Sequence, residues 1–446
     1  MMKKNFNTVV IGGGVAGSSA AASLQNAGQK VAVIENEFFG GTCPNRGCDP
    51  KKILLGAIET KRLVEQLRET GIDGETQINW ENLMKKKRAY TGPISANTQK
   101  WLQSTGVETY HSSGQFNDSG NFEVDGDELE GDNFIIATGL RPSILPIKGN
   151  QYLETSNEFL DLDNMPERVA FIGAGYEAFE FASIARTAGA EVHIIHHNDK
   201  PLKAFDSDMV SELVKSLQAQ GVQFDFNVDI TEIEKSEDAF ILTDRNGYSL
   251  SVDRVFGTTG RIPNVENIGL DKVNVDYDKR GIKVDDHLRT SNSTMFALGD
   301  VISRKSIPKL TPVATFDSNY VVAEILGKNT KAIDYPAIPS VIFGTPKLAK
   351  VGVDTAQAKE SDDYKVTKLD VTSWFSYMRL NEPKAVVKVV LEKESHRIVG
   401  AECMSGEADQ LINYFTFIID DKITMDQIGK RVFAYPTIAS DLGYFG

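Results

Sequence analysis

A chain of 446 residues is too long for one ordinary core and is expected to divide into two or three domains. An apolar fraction of 41% and a charged fraction of 25% are ordinary for a globular protein, and no apolar run approaches the ~18 residues of a membrane span. The net charge of −14, from 48 basic and 62 acidic residues, disfavours nucleic acid as a partner. The chain opens MMKKNFNTVVIGGG, which loosely imitates a secretory leader. Its apolar stretch reads instead as a strand entering a glycine turn, and a cytoplasmic protein is expected.

The segment TVVIGGGVAGSSAAASLQNAGQKVAVIE reads as a buried strand, the glycines Gly12, Gly14 and Gly17, an alanine-rich helix and a second strand. Gly12 permits the tight turn, Gly14 lets backbone approach a pyrophosphate, and Gly17 lets helix and strand pack closely. The helix N-terminus stabilises the phosphate charge. Glu35 closes the second strand, where an acid accepts hydrogen bonds from ribose hydroxyls. The pattern repeats in RVAFIGAGYEAFEFASIARTAGAEVHIIHH, with Gly173, Gly175 and Ala178 at the turn. Two such Rossmann-like units imply two dinucleotides and electron transfer between them. Glu35 stands 23 residues after Gly12, and the same step from Gly173 reaches His196. With His197, Lys200 and Lys203 around it, this end suits a 2′-phosphate, so NADPH is favoured over NADH.

Between the first unit and the next helix lies GGTCPNRGCDPKK. Cys48 is expected to begin a helix, with Cys43 about one turn before it, so that the two sulfurs meet. The helix dipole together with Arg46, Lys51 and Lys52 would stabilise a thiolate. Such a dithiol takes an electron pair and returns it by thiol exchange. A zinc site is the rival reading, but it needs about four ligands, and the six histidines show no cluster near Cys43. No metal is expected. The run Lys85-Lys86-Lys87-Arg88 lies in a helical pattern and reads as a solvated face. Near the C-terminus, VVKVVLE and IVGAECMSG read as strands. Ala408, Leu411, Ile412, Phe415, Ile418 and Ile419 then share one helical face, read as core or interface. Cys403 reads as an inert buried thiol.

GGTCPNRGCDPKK resembles the active-site segment of the family of glutathione reductase, dihydrolipoamide dehydrogenase and mercuric reductase. The resemblance continues through ATG (Ala137–Gly139), GRIPN (Gly260–Asn264), FALGD (Phe296–Asp300), LTPVA (Leu310–Ala314) and PSVIF (Pro339–Phe343). It implies an α/β protein with two Rossmann-like domains, for FAD and NADPH, and a C-terminal α+β dimerisation domain. The expected bounds are 1–150 with 266–330 for FAD, 151–265 for the nicotinamide nucleotide, and 331–446 for the interface of a homodimer. NADPH would reduce FAD, FAD the Cys43–Cys48 disulfide, and the dithiol a disulfide or other small oxidised acceptor, a role in cell redox homeostasis. The resemblance makes Cys48 the charge-transfer thiol and Cys43 the interchange thiol. Lys51 would pair with Glu180. Tyr176 would gate the nicotinamide pocket and Asp300 bind the FAD ribitol. Thr42 and Ala314 would line the isoalloxazine, while Thr138, Gly139, Gly260 and Arg261 belong to cofactor-binding stretches.

The chain departs from this pattern at its C-terminus. Where the family has His-Pro-Thr followed by a glutamate, this chain has Tyr435-Pro436-Thr437, with Ser440 in the glutamate position. A phenol of pKa ~10 is a poor base at neutral pH but can donate a hydrogen bond. Turnover of glutathione disulfide is therefore expected to be impaired, unless Arg46 lowers the pKa of Cys43 or holds an anionic substrate. Quinones, metal ions and oxidised sulfur species stay open as acceptors, as does a dihydrolipoamide dehydrogenase-type role in a complex. No cysteine follows Cys403, which weighs against delivery of mercury by a C-terminal cysteine pair. Asp49, Glu177 and the FDSNY stretch after LTPVA are further departures, and FDSNY is expected to alter the substrate side.

Overall fold

The computed structural model describes residues 2–328 and 331–446. The expected boundary at residue 330 lies outside the described residues. The chain divides into two compact units, one of Met1–Lys52, Lys85–Ser143 and Arg261–Asp334, the other of Ile53–Met84, Ile144–Gly260 and Tyr335–Gly446.

The first unit is built on a mixed sheet. Strand Met2–Ile11 lies between the parallel strands Val31–Glu35 and Asp127–Ile136. Glu108–His111 extends it on one side, and Met295–Ala297 pairs with Asp127–Ile136. Val9, Val10, Ala32, Val33, Ile135 and Ile136 are fully or almost fully buried, which explains why these strands read as continuous apolar runs. Helix Val15–Asn26 buries Ala16, Ala20, Ala21 and Leu24 in the same core.

The FDSNY stretch carries a buried acid. Asp317 lies inside helix Thr311–Ile325 and is fully buried. Its Oδ2 accepts from the Gly299 N–H at 2.9 Å and pairs with the buried Arg304 at 2.5 Å. The stretch thus turns its acid inward, onto the FALGD loop. Asp317→Ala should destabilise the fold by about 3–5 kcal/mol, the cost of breaking one side of a buried ion pair. Asp317→Asn, which keeps an acceptor for Gly299, should lose less. Denaturant unfolding of the two variants checks this.

The second unit contains the repeat. Strands Val222–Phe226, Glu191–His196, Arg168–Ile172 and Arg254–Gly257 form a parallel sheet. Helix Tyr176–Thr187 packs against it, with Ala178, Phe179, Phe181, Ala182 and Ile184 buried. The same unit holds a five-stranded antiparallel sheet, ordered Ser340–Ile342, Lys347–Gly352, Arg397–Ser405, Val386–Glu392 and Tyr364–Asp370. Helix Ala408–Asp420 covers it, burying Ala408, Leu411, Ile412, Phe415 and Ile418, with Ile419 partly buried, as the helical spacing predicts. Cys403 is buried in this sheet, and burial pushes its thiol well up. In helix Trp80–Thr91, Lys85, Lys86 and Arg88 are exposed, but Lys87 is buried, so the basic run is not wholly a solvated face. Among the described residues, no helix is long and apolar enough to cross a membrane.

Candidate active site

Cys43 lies in the short helix Thr42–Arg46, and Cys48 opens helix Cys48–Gln66. Both are free thiols, and each shifts the ionisation of the other. The Thr311 hydroxyl, at the start of its own helix, lies 3.8 Å from Cys48 Sγ. The shared proton is held asymmetrically. Cys48 is pushed down, first because Cys43 donates to it, then because the Lys51 charge, the Thr311 hydroxyl and the Lys52 charge favour a thiolate. Cys43 is pushed up, first by the Cys48 partner and then by burial. The helix N-terminus favours a thiolate at Cys48 as well. The pair is therefore a thiol at Cys43 beside a thiolate at Cys48. Arg46 was expected to lower the pKa of Cys43, and it is not among the main influences on that thiol. That thiol is raised, and the Arg46 guanidinium pairs with Glu37 and lies over the Phe38 ring.

Two turns fit dinucleotides. Gly12 has φ +107°, and a Cβ there would stand 2.3 Å from the Ala137 carbonyl oxygen. A Cβ on Gly17 would stand 2.0 Å from the Gly12 carbonyl oxygen. Gly14 caps helix Val15–Asn26, with Gly41 of the GGTCPN segment beside it. Glu35 Oε2 accepts from the Gly13 N–H at 2.9 Å, and burial raises its carboxyl. The second turn repeats this geometry. Gly173 has φ +108°, and its Cβ would stand 2.6 Å from the Thr258 carbonyl oxygen. Gly175 caps helix Tyr176–Thr187, and Ala178 is fully buried in it. His196 Nδ1 accepts from the Ala174 N–H at 3.3 Å, taking the place that Glu35 has at Gly13. Burial, then the neighbouring His197, pushes the imidazole down, so His196 is neutral near pH 7, while Lys200 and Lys203 are exposed beside it. Among the described residues, none hydrogen-bonds to the buried His196 Nε2.

The remaining expected residues are placed as follows. Thr138 donates to the Asn264 carbonyl at 2.6 Å, and Asn264 returns hydrogen bonds to the carbonyls of Thr138 and Gly139. ATG and GRIPN thus clamp each other. Gly260 has φ +112°, and Arg261 donates to the Leu140 carbonyl at 3.1 Å. Asp300 is raised by burial, against the charges of Lys309, Arg261 and Arg304. Thr42 is half-buried and Ala314 buried. Lys51, in the first turn of its helix, is buried. In the second unit, Glu180 is buried and accepts from the Phe343 N–H at 2.8 Å, while Tyr176 is about half exposed. His197 lies 4.5 Å, ring to ring, from His196. Tyr435 is exposed and stacks on Phe375 at 6.3 Å. Ser440, in the family's glutamate position, caps the turn at Thr437 and donates to its carbonyl.

Sequence reading missed Thr311 and Tyr90. Thr311 stood inside LTPVA, where a hydroxyl at a helix start was the available signal. Tyr90 Oη donates to Asp49 Oδ2 at 2.8 Å, a pairing that no local spacing announces.

Residues 6–318 match the model of the pyridine nucleotide-disulphide oxidoreductases, and residues 338–443 match the dimerisation domain of the same family. The chain is 32% identical to a glutathione reductase from Burkholderia cepacia, over 99% of this chain and 98% of that one. It is 30% identical to a dihydrolipoyl dehydrogenase from Chlamydia trachomatis, over 98% and 95%. It is 29% identical to a mercuric reductase from Staphylococcus aureus, over 98% and 81%. The solved Cu(II) complex of the HOCl-induced flavoprotein disulfide reductase RclA from Escherichia coli shares the fold, with a TM-score of 0.89 at 24% identity over 98% of each chain. The chain therefore belongs to the pyridine nucleotide-disulphide oxidoreductase family and is an FAD-dependent disulfide oxidoreductase of the glutathione reductase type, with Rossmann-type nucleotide binding and a C-terminal dimerisation domain.

Proposed function

We propose that the chain is an NADPH-dependent reductase of small disulfides, acting as a cytoplasmic homodimer, with Cys43 as the thiol that meets the acceptor and Cys48 as the thiolate on the flavin side. The observation that carries this reading is the placement of two free thiols together at a helix start, Cys43 in helix Thr42–Arg46 and Cys48 opening helix Cys48–Gln66 beside the Thr311 hydroxyl. FAD, when bound, supplies the two-electron link between the nicotinamide and the thiol pair. The residues do the rest. Cys43 passes its proton to Cys48, and its sulfur attacks one acceptor sulfur. The acceptor S–S bond breaks, and the departing thiolate takes a proton from solvent. Cys48 then loses its proton and attacks the Cys43 sulfur, which expels the second thiolate and leaves the Cys43–Cys48 disulfide. The proton lost by Cys48 balances the second thiol. Lys51 stabilises Cys48 whenever it is a thiolate, before the first proton transfer and again at the closing attack. Tyr435 of a second copy would donate a hydrogen bond to the leaving thiolate.

Anaerobic titration of the holoenzyme with NADPH tests the reading. Uptake of an electron pair with a long-wavelength thiolate-to-flavin absorbance, before the flavin bleaches, is expected. Immediate bleaching without that absorbance would sink the dithiol route.

The nucleotide preference rests on His196. A glutamate there would inherit the geometry that Glu35 has at Gly13, and would repel a 2′-phosphate. His196→Glu should shift the ratio of kcat/KM values from NADPH toward NADH by about tenfold or more, since one charge-assisted hydrogen bond is worth ~1.5 kcal/mol. Steady-state kinetics with the two nucleotides reads this directly, and an unchanged ratio places the discrimination elsewhere.

A further inference from the structure

The two thiols face opposite charges. On the Cys48 side stand Lys51 and Lys52. On the Cys43 side stands Asp49, which follows Cys48 directly in the first turn of helix Cys48–Gln66. Its carboxylate is not left to swing. Tyr90, reaching from helix Trp80–Thr91, donates to Asp49 Oδ2 at 2.8 Å. Through Asp49, Tyr90 is tied to the helix turn that carries Cys48, and phenol and carboxylate form one group there. Tyr90 is 48% exposed, so the group borders solvent. Arg46, the cation that could offset Asp49, pairs with Glu37 and covers Phe38.

We propose that Asp49, held by Tyr90, is a specificity-determining residue that selects neutral and cationic disulfides at Cys43 and disfavours carboxylate-bearing ones. The inference rests on the dithiol reading and names its substrate class. An anionic acceptor approaching Cys43 meets a like charge fixed in the turn that carries Cys48, on a protein whose net charge is already −14. A cationic or neutral acceptor does not meet this barrier.

The test uses the NADPH-reduced holoenzyme at low ionic strength. Alkylation of Cys43 by iodoacetate and by iodoacetamide is followed, with peptide mapping to assign the site. Both reagents need the same thiolate, so the ratio of their rates removes any change in thiol ionisation and reports local charge. Asp49→Asn should raise the iodoacetate-to-iodoacetamide ratio about three- to tenfold, and salt near ~0.5 M should erase most of that rise. Tyr90→Phe, which frees the carboxylate, should move the ratio the same way by less. In turnover, Asp49→Asn should raise kcat/KM for glutathione disulfide and lower it for cystamine, each relative to the uncharged bis(2-hydroxyethyl) disulfide. A ratio unchanged within about twofold in Asp49→Asn overturns the proposal. If the wild-type enzyme turns over none of the three disulfides, the disulfide-reductase reading fails by itself, while the alkylation ratio still decides the charge at Cys43.

Discussion

Replacing Cys43 by alanine is expected to lower kcat/KM for any disulfide on the order of 10³-fold or more, because it removes the attacking sulfur. Pyridine nucleotide should still deliver its electrons to the bound flavin, since no part of either dinucleotide turn involves Cys43. A second effect follows from the site's electrostatics. The largest influence holding Cys48 down is the hydrogen bond from Cys43, ahead of the Lys51 charge. Without it, the Cys48 pKa should rise toward the ordinary thiol value of ~8.5, while Lys51, Thr311 and Lys52 keep it somewhat below. In the wild type the Cys48 thiolate should persist down to about pH 6. In Cys43→Ala it should be lost as pH falls from a higher point. Cys43→Ser, which keeps a donor in place, should shift the profile less. The measurement is the pH dependence of thiolate absorbance, or of flavin charge transfer, in the three proteins. An identical profile in Cys43→Ala would mean that lysine charge and the helix terminus, not the neighbouring thiol, set the ionisation.

What the sequence made legible is what local spacing encodes. The two glycine turns, the start of a helix at Cys48, Glu35 at its strand end and the apolar face of helix Ala408–Asp420 all follow from periodicity and conformational need. The parallel between Glu35 and His196 was also readable, because the two repeats share one register. The sequence could not give the neutral state of His196, since burial and the Ala174 N–H, not residue type, decide it. Pairings between distant segments were equally hidden. Arg46 sits two residues from Cys48, yet its charge goes to Glu37. Asp49 gains its orientation from Tyr90, 41 residues away. FDSNY was legible as a departure, but not that its Asp317 bonds to Gly299 and Arg304 inside the first unit. In each case the deciding partner lies on another element, and only the fold brings it near.

The two glycine turns give the other large expected effect, because the same substitution should have different consequences in each. Gly12→Ala places a methyl 2.3 Å from the Ala137 carbonyl oxygen, at a φ of +107° that a side chain rarely adopts. Backbone cannot yield there cheaply, for Gly12 is also tied by its N–H to the Ile34 carbonyl at 2.8 Å. Overpacking of 1–3 kcal/mol adds to a similar backbone strain, so a loss of about 3–5 kcal/mol is expected in the first unit. FAD, whose pyrophosphate needs this turn, should bind weakly or be lost on purification. Gly173→Ala meets the Thr258 carbonyl oxygen at 2.6 Å at φ +108°, with the Gly173 N–H tied to the Ile195 carbonyl. Its strain falls in the second unit, so the protein should keep its FAD while the KM for NADPH rises steeply. Dithionite, which needs no nucleotide site, should still reduce the flavin and the thiol pair of Gly173→Ala. The flavin absorbance of the purified variants and their reduction by NADPH and by dithionite separate the cases. Loss of FAD from Gly173→Ala, or normal FAD with impaired NADPH binding in Gly12→Ala, would reverse the assignment of the two turns. The direction of electron flow would then have to be argued again from His196 and Glu35.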